Sequence, residues 1–468
     1  MIQDMTKGHP LKLIILFSLP ILIGNIFQQL YQLADIFIVG RLLGETSLAA
    51  VGASSPIFFT FLIIAFSFTG GLTAITAQRF GAKDYDGLRS SITHSIRASL
   101  TLATLLTLII IFCLKPLLKI LNVPDSIFDD SYAFIMILGL NLVLIIFSNL
   151  LFGFIRALGD SKTPLYFFIF TTIANIIFNY LLITQTTLGV KGSALGTVIA
   201  ILISTIGCII YIYKHYPIMH LTKKDWICKK DFMKEHLRLA IPMSIQFSIL
   251  SLSIMIIQAV CNSFGNQIIV GFTIALRLEQ LATQPLLALG LAMATYVAQN
   301  YGAGRIKRIK DGIKQALLTS CITSIILSAT VYIFGNQIIS SFIKTNNPTS
   351  INVGTSYLNI SIMFYFFLGA IFIFKNTLQS IGKPYYPLFS GFVELGIRSF
   401  AAIYLASQIG YRGIYYASPL AWVGGALIVI YGYYKNLYKR TPQDIKKEYA
   451  KIYQQMKMLQ KKGEVTPA

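Results

Sequence analysis

In the first half of the chain, one carboxylate and several amides stand inside apolar segments, where polar side chains are costly and point to a function. Asp35 lies near the end of the first of these segments. A polar stripe approaches it along one helical face, because its members are spaced by three and four residues. The stripe comprises Asn25, Gln28 and Gln32, with Tyr31 four residues before Asp35. Such a stripe must face neighbouring helices or water, so we predict that it lines a cleft.

A matching set of polar residues follows in the fifth and sixth apolar segments. Asn175 and Asn179 are four residues apart, and Thr197 follows in the next segment. With a rise of about 1.5 Å per residue, their helices carry them to the same membrane half as Asp35. A carboxylate with two amides and a hydroxyl would suit a proton or Na⁺, because hard cations prefer oxygen ligands. The alternatives are hydrogen bonding between helices for the asparagines, and contact with external water for Asp35.

Four charged residues stand in apolar segments of the second half of the chain: Arg277, Glu279, Glu394 and Arg398. Glu394 and Arg398 are spaced i, i+4, so they can pair directly on one helix. Arg277 and Glu279 are two apart and face different ways. The four charges sum to zero. They form either a structural ion-pair cluster or a substrate or second coupling site.

The composition is that of a helical membrane protein. Of 468 residues, 55% are hydrophobic and only 12% charged, against about 25% charged in soluble proteins. Apolar runs of about 20 residues or more can cross a bilayer as helices, whereas an outer-membrane barrel has short alternating segments. We predict an all-α polytopic protein with about twelve transmembrane helices. They lie near residues 12–38, 48–78, 90–113, 127–154, 163–185, 190–213, 237–263, 267–299, 312–335, 350–376, 385–408 and 413–435.

The chain repeats itself with a shift of 221 to 223 residues, which indicates duplication. AQRFGA at 77–82 corresponds to AQNYGA at 298–303. Further pairs are Pro20 and Pro242, Gly159 and Gly382, Gly189 and Gly410, and Gly192 and Gly413. We therefore predict two pseudo-symmetric six-helix bundles, 1–214 and 236–435, a linker at 215–235 and a basic cytoplasmic tail at 436–468. Two such bundles related by an axis along the membrane normal suit a carrier that works by alternating access.

The net charge of +21 could indicate nucleic acid, but its distribution follows the positive-inside rule. Most Lys and Arg residues fall on the side of the termini. The opposite side keeps only Arg41, Lys115, Lys119, Lys191, Lys344 and Arg412. We predict a multi-pass protein of the inner (cytoplasmic) membrane with both termini in the cytoplasm. The basic tail lies near anionic lipid, and no nucleic acid is expected as a partner.

Catalytic and cofactor signatures are missing from the sequence. The five cysteines are scattered, and there is no HExxH, P-loop or Rossmann motif. We predict no enzyme activity, no cofactor and no metal beyond a possible Na⁺ at Asp35. One chain already holds both halves of a pathway, so we expect a monomer to function with small organic molecules as substrates.

Several motifs together resemble the multidrug and toxic compound extrusion (MATE) family. They are SLPILIG, QLADIFIVG, AQRFGAKD, RALGDSKTP, NIIFNYLLI, GSALGTVIA and RLEQLATQPLLALGLAMATYVAQNYGAG. The resemblance spans nearly the whole chain. It implies two lobes, twelve helices and efflux of organic, often cationic, compounds driven by H⁺ or Na⁺.

The resemblance also implies roles for single residues. An acid on the first helix is essential for coupling in that family, and Asp35 matches it. In one branch, polar residues of the fifth and sixth helices surround this acid, as Asn175, Asn179 and Thr197 would here. Some members carry a second acid where this chain has Asn179. A second branch has acids on the seventh and tenth helices, which this chain lacks, so we predict the ion site in the N-terminal half.

The leading alternative is a lipid-linked oligosaccharide flippase of a related superfamily. Such a protein would be expected to carry several basic residues deep in its cavity. The sequence offers only Arg97, Arg277 and Arg398 inside the predicted helices.

Overall fold

The structure is a computed structural model that describes residues 2–342 and 348–439, without the side chains of residues 32 and 33. All regular secondary structure in these residues is helical. Two of the predicted features fall outside what the structure describes. They are the side chain of Gln32 and the basic tail from residue 440 onward.

The first half of the chain forms seven helices. They are α1 (Pro10–Leu43), α2 (Glu45–Gly81), α3 (Tyr85–Ile120), α4 (Asp125–Leu140), α5 (Leu142–Ala157), α6 (Lys162–Gln185) and α7 (Val190–His215). α4 and α5 form one pair bent by 48°. Two short 3₁₀ turns, Pro217–Met219 and Lys223–Trp226, follow α7.

The second half forms eight helices. They are α8 (Lys230–Asn262), α9 (Asn266–Ala282), α10 (Gln284–Gly302), α11 (Ile306–Phe342), α12 (Pro348–Ser361), α13 (Tyr365–Ser380), α14 (Tyr385–Ile409) and α15 (Ala417–Tyr433). α9 and α10 form a pair bent by 41°. A 3₁₀ segment, Gly410–Tyr416, joins α14 to α15, and a π-helical turn, Tyr434–Tyr438, follows α15.

The predicted all-α membrane architecture is confirmed. Within the described residues, nine helical stretches are long and apolar enough to cross a membrane, or eleven if each bent pair is one span. One stretch, Tyr385–Tyr438, contains both α14 and α15, which correspond to two of the predicted helices. Each of the twelve predicted segments therefore has a helical counterpart.

The backbone carries the sequence repeat. Residues with positive φ stand in four pairs at nearly constant spacing: Gly44 and Gly265, Lys83 and Gly304, Gly159 and Gly382, and Gly189 and Gly410. α14 also begins 223 residues after α6. The halves differ where helices break, because α9–α10 is bent and its counterpart α2 is continuous.

Contacts within the chain divide it into two units, and the boundaries between the units fall inside two helices. Within the described residues, the first unit consists mainly of Ile23–Ser244, and the second contains Met5–Leu22 and the residues from Ile245 to Lys439. α1 and α8 each contribute residues to both units, and Pro20 and Pro242 lie just before the two changes. The predicted domain boundaries follow the repeat instead and stay a prediction.

In the first unit, the predicted linker is packed against neighbouring helices. The Tyr216 hydroxyl donates to Asp160 at 2.8 Å, and the Thr93 hydroxyl donates to the Asp225 carbonyl at 2.6 Å. The Lys229 N–H donates to His94 Nε2 at 3.0 Å. The segment from residue 215 to 235 is therefore held along its length by α3 and the turn before α6.

The second unit has its own apolar core, which includes the start of the chain. Phe17 of α1 packs with Met293 and Tyr296 of α10 in one buried cluster. The Met5 N–H donates to Gln299 Oε1 at 2.9 Å, and Asn300 Nδ2 donates to the Met5 carbonyl at 3.1 Å. These bonds fix the N-terminal segment to the end of α10.

Replacing Gly71 by alanine tests the close contact of α2 with α8 in the first unit. A Cβ atom at Gly71 would lie 2.7 Å from the Ala240 Cα, and a backbone atom cannot swing aside. We expect overpacking to cost about 1–3 kcal/mol and to lower the midpoint of thermal unfolding in detergent. Gly52→Ala in the same helix is the control, since nothing lies within 4 Å of its Cβ position. Equal midpoints for both variants would contradict this contact.

Candidate functional site

The structure joins the predicted N-terminal site residues in one hydrogen-bond network. Asn179 Nδ2 donates to the Asp35 carboxylate and, at 3.3 Å, to Asn175 Oδ1. Asn175 Nδ2 donates to Thr197 Oγ1 at 2.9 Å and lies 3.5 Å from the Tyr31 hydroxyl. Helices α1, α6 and α7 of the first unit thus supply one connected set of polar groups.

Local sequence explains how α6 and α7 present these groups. The Thr197 hydroxyl donates to the Ser193 carbonyl at 3.2 Å, so its lone pairs are available to Asn175. Gly196, one residue earlier, lets the helices approach closely, because a Cβ there would lie 2.2 Å from Asn179 Oδ1. Asn175 and Asn179 are almost fully buried, whereas Asp35 is half-buried.

One acceptor in this network has no donor. The buried Asn179 Oδ1 has no hydrogen-bond partner in the structure, and an unsatisfied buried acceptor costs about 1–3 kcal/mol. The network therefore holds a carboxylate and a spare amide oxygen within one cluster. Oxygen atoms of this kind are the ligands that a hard cation uses.

The rest of the predicted cleft stripe lies on α1. Asn25 and Gln28 are half-buried and precede Asp35 by about three and two helical turns. The side chain of Gln32 lies outside what the structure describes. That these residues line a cleft stays a prediction.

The four predicted charges of the second unit have different surroundings. Arg277 is exposed, and Glu279 is buried and accepts a hydrogen bond from the Tyr357 hydroxyl at 2.8 Å. Glu394 and Arg398, both buried on α14, do not form the direct pair that their spacing allows. Glu394 instead binds a residue from α13, and Arg398 donates through Nη1 to the Ser253 hydroxyl of α8 at 2.8 Å.

The partner of Glu394 is Lys375, a residue that sequence reasoning missed. Its Nζ lies 2.6 Å from Glu394 Oε1, and the side chains are 12% and 7% exposed. The Ser390 hydroxyl donates to the same oxygen at 2.9 Å. The predicted helix ended at residue 376, so Lys375 stood in its last turn and was counted with the cytoplasmic charges. The sequence offered one signal for this partner, because Lys375 directly follows the apolar stretch IFIF. In the structure α13 ends only at Ser380, so Lys375 lies inside the helix.

Comparison with known proteins gives a consistent picture. The MatE family model matches residues 20–181 and 242–404, so it matches once in each half of the repeat. Two curated relatives come from Bacillus subtilis (strain 168). The probable multidrug resistance protein YpnP is 27% identical over 412 residues, covering 88% of this chain and 92% of that protein. The probable multidrug resistance protein YoeA is 26% identical over 450 residues, covering 94% and 96%.

Solved structures share the fold. An outward-facing multidrug resistance MATE family transporter of the MOP superfamily aligns with a TM-score of 0.87 at 22% identity. The alignment covers 94% of this chain and 98% of that one. A MATE structure in the bent conformation aligns with a TM-score of 0.86 at 22% identity, covering 95% and 98%.

Alanine at Gly196 tests the packing that brings Asn179 to Asp35. The added Cβ would meet the Asn179 side chain at 2.2 Å and the backbone of Phe178 at 3.0 Å, so α6 and α7 must separate. We expect a loss of about 1–3 kcal/mol, seen as a lower midpoint of thermal unfolding. Gly207→Ala, also on α7, is the matched control because its Cβ would meet only a Phe167 ring atom at 3.4 Å. A Gly196→Ala midpoint equal to that of the control would contradict this geometry.

Proposed function

The chain belongs to the MatE family, and from this premise we propose that it is a secondary active multidrug efflux transporter. It exports small organic, often cationic, compounds by antiport with H⁺ or Na⁺ and works by alternating access. It functions as a monomer in the cytoplasmic membrane with both termini in the cytoplasm. The names of its relatives as multidrug resistance proteins support organic small molecules as its substrates.

The observation that carries this proposal is the contact between Asp35 and the polar face of α6. A negative charge inside an apolar helix is costly unless a cation neutralises it. Asn179 donates to that charge, and Asn175 and Thr197 extend the network behind Asn179 with an amide and a hydroxyl group. The set is suited to a proton on the carboxylate or to Na⁺ among oxygen ligands.

Coupling follows from the change that the cation makes at Asp35. An ionised carboxylate only accepts hydrogen bonds, whereas a protonated one also donates. Binding of H⁺ or Na⁺ therefore alters the contact of α1 with α6, and Pro20 lets α1 bend because it removes a backbone hydrogen bond. If the ion and the organic substrate favour different conformations, each drives release of the other.

The relatives do not favour the oligosaccharide flippase. Both Bacillus subtilis proteins are described by multidrug resistance. Lys375, whose side chain is 12% exposed, adds one basic residue that the sequence argument had not counted inside the helices, but it is neutralised by Glu394.

The transport test uses proteoliposomes with the purified protein and ethidium as the fluorescent substrate. A pH gradient and a sodium gradient are imposed separately, so that each coupling ion is tested alone. We expect transport under one gradient, and we expect Asp35→Asn to reduce it at least about tenfold, to the level of protein-free vesicles, because the ion loses its charged ligand. Asp129→Asn, an exposed acid of α4, is the matched control and should transport normally.

Two results would contradict the proposal. Gradient-driven efflux by Asp35→Asn at the wild-type rate would remove this residue from coupling. Antiport itself would be contradicted if the wild-type protein transported none of several organic cations under either gradient.

A further inference from the structure

The repeat places a fixed positive charge in the second unit where the first unit has an amide. α14 begins 223 residues after α6, and the same spacing relates Asn175 to Arg398. The corresponding contacts agree as well. Asn175 Nδ2 lies 3.5 Å from the Tyr31 hydroxyl, and Arg398 Nη1 donates to the Ser253 hydroxyl at 2.8 Å. Tyr31 and Ser253 are related by the spacing of 222 that separates Pro20 from Pro242.

Two other members of the first site have lost their polar groups in the second unit, whereas Thr197 corresponds to Ser418 at the spacing of 221 and keeps a hydroxyl. The position of Asp35 corresponds to Ile257, and that of Asn179 to Ala402. Both replacements are buried and apolar. Arg398 therefore puts a positive charge in the second unit at the position that Asn175, an uncharged member of the Asp35 network, occupies in the first unit.

Arg398 borders a small cavity within the second unit. The cavity has a volume of about 20 Å³, and its polar lining residues are Gln246, Ser253, Lys375, Glu394 and Arg398. A space of about 10–15 Å³ or more holds a water molecule, so this one accepts a single water or a monoatomic ion.

The hydrogen-bonding capacity of Arg398 is largely unused. The residue is 3% exposed, and its Nε has no partner in the structure. A guanidinium has five N–H donors, and the structure shows one bond from them, to Ser253. A buried cation with unmade hydrogen bonds is costly, so an acceptor is expected beside it.

The nearby carboxylates do not supply that acceptor. Glu394 Oε1 is engaged by Lys375 at 2.6 Å and by Ser390 at 2.9 Å. Glu279 Oε2 accepts from the Tyr357 hydroxyl, whereas its buried Oε1 has no hydrogen-bond partner in the structure and does not bind Arg398. Among the described residues, neither acid forms an ion pair with Arg398 within 4 Å.

Two further polar groups of the cavity wall, Gln246 and Ser253, can donate to a bound anion. Gln246 Oε1 already accepts from Gln379 Nε2 at 2.9 Å, which leaves the Gln246 NH₂ group to donate. The Ser253 hydroxyl accepts from Arg398 and can turn its own O–H toward the cavity. The wall also holds two cations, Lys375 and Arg398, against one carboxylate, Glu394, and its net positive charge favours an anion over a cation.

We propose that this cavity binds a monoatomic anion of the halide class, chloride in the cell, held by Arg398, Ser253 and Gln246. The site goes beyond ion coupling at Asp35 and does not depend on it. The anion supplies the acceptor that Arg398 lacks and keeps α8 and α14 joined inside the second unit.

Thermal unfolding in detergent tests the site. Sodium chloride or bromide replaces sodium gluconate at constant sodium concentration and ionic strength. The midpoint of thermal unfolding is measured as a function of halide concentration. We expect a saturable rise for the wild type. Arg398→Asn, which installs the residue found at the corresponding position of the first unit, should abolish the rise or weaken half-saturation at least about tenfold. Arg277→Asn removes an exposed arginine of the same unit and should behave as the wild type.

Crystals grown in bromide provide a test that does not depend on a variant. An anomalous peak in the cavity, within hydrogen-bonding distance of the Arg398 guanidinium, is the expected result. Ser253→Ala, a milder change, should weaken the halide effect even if Arg398→Asn does not fold. The proposal is overturned if the wild type shows no halide dependence, if Arg398→Asn retains it in full, or if the cavity density in bromide is a water molecule.

Discussion

The structure depends on one constraint, which is that polar groups inside a membrane must find their partners within the protein. Helices satisfy the backbone, and many hydroxyl side chains donate to a carbonyl one turn earlier, as Ser54 does to Ala50 at 2.8 Å. Side chains with stronger demands need partners on other helices. Asp35 and Glu394 therefore both bind groups from a neighbouring helix, and their partners determine which helix faces meet.

The duplication shows how one backbone plan accommodates opposite chemistry. Turns with positive φ recur at matching positions in both halves, so the connections are common to the two. The polar residues between them have diverged, and a carboxylate with amides in the first unit contrasts with a lysine, a glutamate and an arginine in the second. A fold of this kind can separate the binding of unlike charges between its halves without changing its topology.

Much of this arrangement could be predicted from the sequence, and the failures share a physical cause. Helical periodicity and rise were sufficient to bring Asn179 and Asn175 together with Asp35. Hydropathy misplaced the end of α13, because apolar character fades at Lys375 whereas the helix continues to Ser380, just before the positive-φ turn at Gly382. Lys375, the partner of Glu394, was missed because it stood at the end of the predicted helix and was counted with the cytoplasmic charges. A lysine counted there is not expected inside a bundle. The bend between α4 and α5 leaves no proline signal, and it depends on tertiary packing that periodicity does not report.

The way that α1 and α8 cross between the units has a consequence for the origin of the chain. The first part of α1 belongs to the second unit, and the first part of α8 belongs to the first unit. A single-copy ancestor with this arrangement would have been a domain-swapped homodimer, in which each protomer lent its leading half-helix to its twin. Fusion of two such copies would convert an exchange between two molecules into one within a single chain. In that case the segment before α8, held on α3, is the place where the two copies were joined.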